Sequence, residues 1–425
     1  MTLGCSKNLV DSERLGSCLQ RAGWHVRYDC EPAAQDVLIL NTCGFIGDAQ
    51  EESVNYILRA VALQRQGLLR DLLVMGCLSQ RFGRELRAEI PEVEHWYGAR
   101  DLGQVLGYFG LSGELLLAAP RRASAHRHYA YLKIAEGCDR HCHFCAIPGI
   151  RGGYRSVAPG RLLEEAQALV ADGARELILV AQELSSYGRD LPHPTTLLTL
   201  LEALEKIEGL AWIRMHYAYP TGFPLEVLEW MRSSKKACRY FDLPLQHISD
   251  RVLRVMNRTH TTRSTYALIE RVRALLPEAS LRTSLIVGYP AEGEAEFRQL
   301  EEFVRTVEFD QVGVFTYSSE AGTYAGDHLE DCVPQEVKQM RRDAIMTLQQ
   351  GISTRRLSRF VGRTMPVLLD EQVGPHAWVG RTEFASPEVD GEVQVQAPSL
   401  ELAVGQFAQV RITGSGAYDL EGEVA

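Results

Sequence analysis

Three cysteines packed into eight residues constrain this chain more than anything else in it. Cys138, Cys142 and Cys145 lie in GCDRHCHFCAIPGIRG, residues 137–152, with the spacing C-x-x-x-C-x-x-C. Thiolates this close, in a chain without secretory features, do not make a disulfide network, so a shared soft metal centre is the economical reading. An iron-sulfur cluster is the first candidate. A four-iron cluster normally takes four thiolates, and the ferredoxin run that supplies them has two-residue gaps. Here the first gap is three, and no fourth cysteine follows nearby. Three ligands on four irons leave one iron open to a small molecule. The competing reading is a structural zinc site completed by His141 or His143, although structural zinc usually draws on two ligand pairs separated by a long spacer.

The rest of the chain narrows the field. Its 425 residues suggest about three domains at ~150 residues each. A formal net charge of −10 does not suit a nucleic-acid binder, so direct nucleic-acid binding is not expected. No apolar run is long enough to span a membrane, and the N-terminal MTLGCSKN lacks the apolar stretch of a signal peptide. Ten cysteines in such a chain point to a reducing cytoplasm and to metal ligation. Cys18, Cys30, Cys238 and Cys332 fall outside the clusters of motif residues and read as structural or incidental.

Residues 1–117 alternate strands and helices: a helix over 8–22, strands over 36–41 and 72–76, and helices over 48–66 and after Ser79. This predicts a parallel, doubly wound sheet. Cys5, Cys43 and Cys77 each follow one of its strands and each stands beside a glycine, in GC, NTCG and MGC. The carboxyl edge of an open parallel sheet is where ligands bind, so the three should converge on a second metal centre, with the glycines admitting a bulky cofactor. After a linker at 118–128, strand-like runs at 131–137, 176–182, 212–220, 240–246, 281–288 and 311–318 recur with helices between them, which predicts a partial (β/α)6 barrel over 129–360. Its active mouth should lie at the carboxyl ends of the strands, lined by Gln182, Gln246, His247 and Gly288. An amphipathic helix over 334–362 should strap that barrel. Residues 361–425 read as a small five-stranded β-barrel. From Arg363 onward they hold ten acids, three arginines and no lysine, a charge that should attract a basic protein and repel a phosphate backbone.

With these residues in view, the chain resembles the radical S-adenosylmethionine (SAM) methylthiotransferases along essentially its whole length. LGCSKNLVDSE, NTCGFI and GC match the cluster-binding N-terminal domain of that family, GCDRHCHFCAIPGIRG its radical SAM loop, and the acidic barrel its TRAM domain. CAIPGIRGGYRS, FDLPLQHIS, FTYSSEAGT, PEVDG and YDLEGE are similar to the branch that modifies an aspartate of small-subunit ribosomal protein twelve, rather than to the transfer-RNA branch. The resemblance implies two 4Fe-4S clusters, one on Cys138, Cys142 and Cys145 and one on Cys5, Cys43 and Cys77. It also implies SAM as cofactor, with Phe144 near its adenine, and an electron donor and a sulfur donor of unstated identity. One SAM would methylate a sulfur at the second cluster; another would be cleaved to a 5′-deoxyadenosyl radical that takes a hydrogen from the aspartate β-carbon. Glu183 departs from the family pattern, as does AEGE at 291–294. An iron-sulfur electron carrier or a zinc scaffold is the reading from a different class, and it would need closed metal sites.

Overall fold

A computed structural model describes residues 1–118, 121–124, 127–192, 195–397 and 401–425. Part of the expected linker, 119–120 and 125–126, lies outside the described residues.

The N-terminal unit is built on three parallel strands, Val37–Thr42, Asp71–Gly76 and His95–Trp96, extended by a parallel bridge from Thr2 to Asn41. The middle strand shows why the sheet is covered on both faces. Leu72 and Val74 pack with Leu40 and Ile57 on one side, while Leu73 and Met75 pack with Leu15, Val105 and Leu106 on the other. Helices Ser6–Arg21, Gly47–Arg65 and Cys77–Glu89 follow the strands, and each is preceded by one of the glycine-bearing turns.

Six parallel strands form the second unit: Tyr129–Lys133, Glu176–Val180, Trp212–Met215, Tyr240–Gln246, Ser280–Val287 and Gln311–Thr316. The first three pair in order, as do the last three, and the halves meet through a bridge from Ile213 to Ala237 and through Ala218 N–H donating to Asp242 O at 3.0 Å. This is the expected partial barrel. Its first strand ends earlier than the apolar run suggests, because Ala135–Glu136 turns aside to pair antiparallel with Arg155–Ser156. That short ladder closes the base of the cysteine loop, helped by Cys138 N–H donating to Gly152 O at 3.1 Å. Gly137 makes the closure sterically feasible: at φ +78, a Cβ there would lie 2.2 Å from Gly153 O. The strapping helix spans Gln335–Ser358, buries Ile345 and Ile352, and Gln349 Nε2 donates to Phe309 O at 2.9 Å.

The C-terminal strands Thr364–Gly374, Ala377–Arg381, Val393–Gln396, Leu420–Val424 and Phe407–Ser415 close into a five-stranded barrel in that order around Val367, Trp378, Val395 and Val410. Its acids are not all offered to solvent. Asp370 accepts from His128 and Arg381, Glu383 pairs with Arg239 at 3.0 Å, Glu388 accepts from the Tyr129 and Tyr131 hydroxyls, and Asp390 lies 3.4 Å from Arg282. At the centre of this interface Glu176, fully buried, receives Arg214 at 2.6 Å and Arg381 at 2.7 Å. Burial alone would raise the Glu176 pKa, but the two guanidiniums outweigh it and hold the carboxyl below its ordinary range. Its contribution to stability is therefore present above the unfolded carboxylate pKa and is lost as pH falls through the lower folded value. Replacing Glu176 by Ala removes the carboxylate of buried Arg214 and one of the two that hold Arg381, and should cost about 3–5 kcal/mol in urea unfolding at neutral pH. A loss below ~1 kcal/mol would show that the interface carries no such load.

Candidate functional site

The six motif cysteines lie at or just beyond strand ends, where glycines let the backbone come close; among the described residues no three such side chains are drawn tightly enough to hold a metal ion as they stand. At the N-terminal unit, Cys5 caps helix Ser6–Arg21, Cys43 follows strand Val37–Thr42, and Cys77 opens helix Cys77–Glu89. A Cβ on Gly4 would lie 2.9 Å from Cys43 Sγ, one on Gly44 2.6 Å from Leu78 Cα, and one on Gly76 2.5 Å from Thr42 O. These glycines therefore bring the three loops against one another, which is a different service from admitting a cofactor. Burial raises the thiol of Cys43, and pushes that of Cys77 up to about 11. Cys5 is half-buried, and although desolvation would raise its thiol, Lys7, the Asn8 backbone N–H and Arg151 together leave it below the ordinary value.

The organiser of this triad is Asn8. Its amide donates to Leu3 O at 2.9 Å and Thr42 O at 3.1 Å, and its carbonyl oxygen faces Cys77 Sγ at 3.7 Å and accepts from Arg151. Arg151 arrives from the other triad's own loop, six residues after Cys145, and also pairs with Asp11 at 2.7 Å. Lys133 binds Asp11 as well, and reaches Glu136 at 2.6 Å; Glu136 accepts from Gln182 Nε2 at 2.8 Å. Cys77 packs with Ala146, the neighbour of Cys145, and with Ile150. The two triads are thus neighbours on either side of one buried polar network.

At the barrel mouth, Cys138 Sγ accepts from Arg140 N–H at 3.4 Å, and Arg258 Nη1 lies 3.6 Å from Cys142 Sγ. Arg140 and Arg258 both stack on Tyr219, at 4.0 and 4.3 Å from its centroid. Burial raises the thiols of Cys138, to about 11, and of Cys145, to about 12, so ligation must draw their protons off against that burial. Around them several polar atoms are buried without a hydrogen-bond partner: Gln182 Oε1, Glu183 Oε1, Thr221 Oγ1, Arg258 Nε and Tyr289 OH. Gln182, Glu183, Thr221 and Tyr289 lie beyond the carboxyl ends of barrel strands and Arg258 beyond the helix Asp250–Val255, and buried polar atoms of this kind are where a ligand, a water or an ion is expected. The donor set fits an anionic cluster and a polar cofactor. A Cys3His zinc site fits less well, because His143 is already committed: its Nδ1 bonds Val255 O at 2.8 Å and its ring stacks on Tyr324 at 3.9 Å.

The expected mouth residues divide. Gln182 belongs to the network described above. Gln246 holds a left-handed φ of +72 at the end of its strand, a costly conformation for a non-glycine residue and one that collects at functional sites. Phe144 packs with Val252, Met256, Tyr289 and Tyr317. His247 follows strand Tyr240–Gln246. It is fully buried, with Nδ1 accepting from Ser249 N–H at 2.9 Å and Nε2 3.1 Å from Glu292, which also accepts from Gly288 N–H and Arg341. Gly288, at φ +73, leaves room for Lys338, whose Cγ would lie 2.3 Å from a Cβ there. Glu292 sits inside the departing 291–294 segment, so that segment still supplies the buried acid that ties a strand end to the strapping helix. Glu183 lies 3.6 Å from Arg140. Asn8, Asp11 and Arg151 were not singled out from the sequence, although KNLVDSE and IRG carry them; only the folded chain shows that they face each other.

Comparison with known proteins bears on this arrangement. The radical SAM superfamily model matches residues 132–304, a TRAM domain model 361–425, and the model of an uncharacterized protein family 1–98. Among solved structures, the fold is similar to that of a radical S-adenosylmethionine methyltransferase, TsrM, from Kitasatospora setae, with a TM-score of 0.54 and 13% identity over 74% of this chain and 73% of that one. A relative from Bacteroides fragilis is 47% identical over 100% of this chain and 98% of its own length, and one from Flavobacterium johnsoniae is 46% identical over 100% and 97%. Both carry the name ribosomal protein uS12 methylthiotransferase RimO. With that identity along the whole chain, and with the cysteine loop set at the mouth of a partial barrel, the protein belongs to the RimO family of radical SAM methylthiotransferases.

Proposed function

We propose that this enzyme adds a methylthio group to the β-carbon of an aspartate in ribosomal protein uS12, using a 4Fe-4S cluster on Cys138, Cys142 and Cys145, a second on Cys5, Cys43 and Cys77, and SAM. The observation that carries the reading is the adjacency of two three-cysteine sites, with Cys77 packed on Ala146 and Arg151 spanning both. When bound, the clusters and SAM supply a radical and a methyl group, the hard chemistry that an unactivated carbon requires. The protein's share is to bind, orient and exclude water. Asn8 and Arg151 hold the N-terminal triad against the barrel; Arg140 and Arg258 present N–H groups to the sulfurs of Cys138 and Cys142. The near-half identity to relatives named for uS12 favours a protein substrate over a transfer RNA.

A basic ribosomal protein also suits the acids that remain outward on the C-terminal barrel. Glu371, Glu392 and Asp419 stand together there, and their mutual repulsion adds to burial in raising the Glu392 carboxyl. The same patch disfavours a phosphate backbone. Ten free cysteines suit a reducing cytoplasm, and among the described residues no helix is long and apolar enough to cross a membrane. The electron donor and the sulfur donor are separate partners.

Anaerobic reconstitution should load about eight irons per chain. Replacing Cys138, Cys142 and Cys145 by Ala should remove half of the iron and all reductive SAM cleavage, and replacing Cys5, Cys43 and Cys77 should remove the other half and abolish methylthiolation of uS12 as read by mass spectrometry. Stoichiometric zinc without cluster absorbance would refute the reading. Reversing Glu371, Glu392 and Asp419 to Lys should weaken uS12 binding at low salt and flatten its salt dependence, since the Debye length is only ~8 Å at physiological ionic strength. Unchanged binding at low salt would remove the patch from recognition.

A further inference from the structure

One side of the barrel's cysteine loop reaches the surface through an aromatic stack. His143, the neighbour of Cys142, donates its backbone N–H to Met256 O at 3.0 Å, and its carbonyl accepts from Ala325 N–H at 2.8 Å. These bonds set the loop between helix Asp250–Val255 and the short helix Tyr324–His328. The His143 ring stacks on Tyr324, and Tyr324 in turn lies 4.7 Å from the His328 ring. Tyr324 is 52% exposed, a large apolar surface for a residue so close to a cysteine of the site, and His141 and His328 are exposed as well.

The segment behind this stack is cationic in a chain that is acidic overall. Residues 250–263, DRVLRVMNRTHTTR, hold four arginines and one aspartate, whereas the whole chain carries a net charge of −10. They back the cysteine loop directly: Val255 O lies 2.8 Å from His143 Nδ1, and Asn257 Nδ2 donates to His141 O at 2.7 Å. The acids of these turns are held by backbone rather than by arginine. Asp250 accepts from Thr262 N–H at 2.6 Å, and Asp327 accepts from Gly322 N–H at 3.0 Å. Arg251 pairs with Glu296 at 2.8 Å and Arg258 turns inward to Cys142. Arg254 and Arg263 are exposed, and among the described residues no carboxylate reaches either one. Arg263 follows Thr262, which Asp250 holds against the same helix that carries Arg254.

The sign of this face selects its partner. A basic ribosomal protein is repelled by it, so the face is not the seat of the substrate. Reductive cleavage of SAM takes one electron, and the protein that delivers it must reach this loop. Encounters of electron carriers use small interfaces, and opposite charges bring such partners together quickly and in register.

We propose that this face, with Arg254 and Arg263 as its cations and Tyr324 as its apolar contact, is the docking surface of the electron donor, an acidic one-electron carrier protein. The carrier is oxidised by one electron and the cluster on the neighbouring cysteines is reduced by one; no bond forms or breaks. The inference rests on the reading of Cys138, Cys142 and Cys145 as a cluster site that cleaves SAM.

The test uses the anaerobically loaded full-length enzyme and two reductants, reduced flavodoxin as an acidic carrier and titanium(III) citrate as a small one. SAM cleavage is measured with each, and binding of fluorescently labelled flavodoxin is read separately by anisotropy. The wild type should cleave SAM with both, and its flavodoxin binding should weaken as salt shortens the Debye length. Arg254→Glu combined with Arg263→Glu should lower flavodoxin binding and flavodoxin-supported cleavage roughly tenfold at low salt, with iron content and titanium-supported cleavage unchanged. The milder pair, Arg254→Gln with Arg263→Gln, should fall between. Flavodoxin binding and flavodoxin-supported cleavage that survive the reversal, or a wild type that cleaves SAM with titanium citrate but does not bind flavodoxin, overturn the docking surface and leave the cluster reading standing. An equal loss with both reductants would show that the two arginines support the loop itself, which also overturns the proposal. Absence of SAM cleavage by the wild type with titanium citrate overturns the cluster reading, and the docking surface with it.

Discussion

One buried guanidinium holds the functional half of this protein together. Arg151 belongs to the loop that carries Cys138, Cys142 and Cys145, yet its charge is spent on Asn8 and Asp11 of the first helix, the segment that positions Cys5 and gathers the Cys43 and Cys77 loops. A buried contact that spreads one guanidinium over Asn8 and Asp11, with Lys133 and Glu136 closing the network, has a narrow tolerance for misplacement, because removing a member leaves buried charge short of a partner. The N-terminal sheet and the barrel are consequently not free to dock in another register. A second clamp on the opposite side of the triad reinforces the first: Glu320, from the loop after the last barrel strand, accepts from Gly47 N–H at 3.1 Å, Gln50 at 2.8 Å and Arg81 at 3.0 Å, beside the Cys43 loop.

The C-terminal barrel shows how the same chemistry can mislead when only composition is read. Its excess of acid looks like a single surface property, but part of it is internal currency between domains. Asp370, Glu383, Glu388 and Asp390 face arginines, a histidine and tyrosines of the radical SAM unit, and Arg381 goes the other way to reach Glu176. The interface is thus built from charges of both signs, buried together and mutually satisfied. What remains for a partner is the outward patch at Glu371, Glu392 and Asp419, with Glu401, Glu421 and Glu423 also exposed, fewer than the count of acids implies.

Much of this was legible beforehand, and for a physical reason in each case. The alternation of apolar runs and glycine turns foretold the doubly wound sheet, and the cysteine spacing pointed to the radical SAM loop that the family model covers, because local rules govern both. Cys5, Cys43 and Cys77 could be brought together from sequence, since a parallel sheet places its strand ends on one edge. Pairings between residues far apart in the chain could not. Nothing local says that Arg151 meets Asn8 or that Glu292 meets His247. The strand over 212–220 was read too long because its apolar character continues past Met215, while Tyr217 turns into the left-handed region and ends the pairing.

The account stands or falls on the two cysteine sites opening onto one space, and electron paramagnetic resonance of the reduced, reconstituted protein tests this most directly. With Cys77 in contact with Ala146, two reduced clusters on these triads should sense each other magnetically. The spectrum of the wild type should then differ from the sum of the spectra of the variant lacking Cys138, Cys142 and Cys145 and the variant lacking Cys5, Cys43 and Cys77. A wild-type spectrum that is the plain sum of the two would place the centres apart and contradict a shared site.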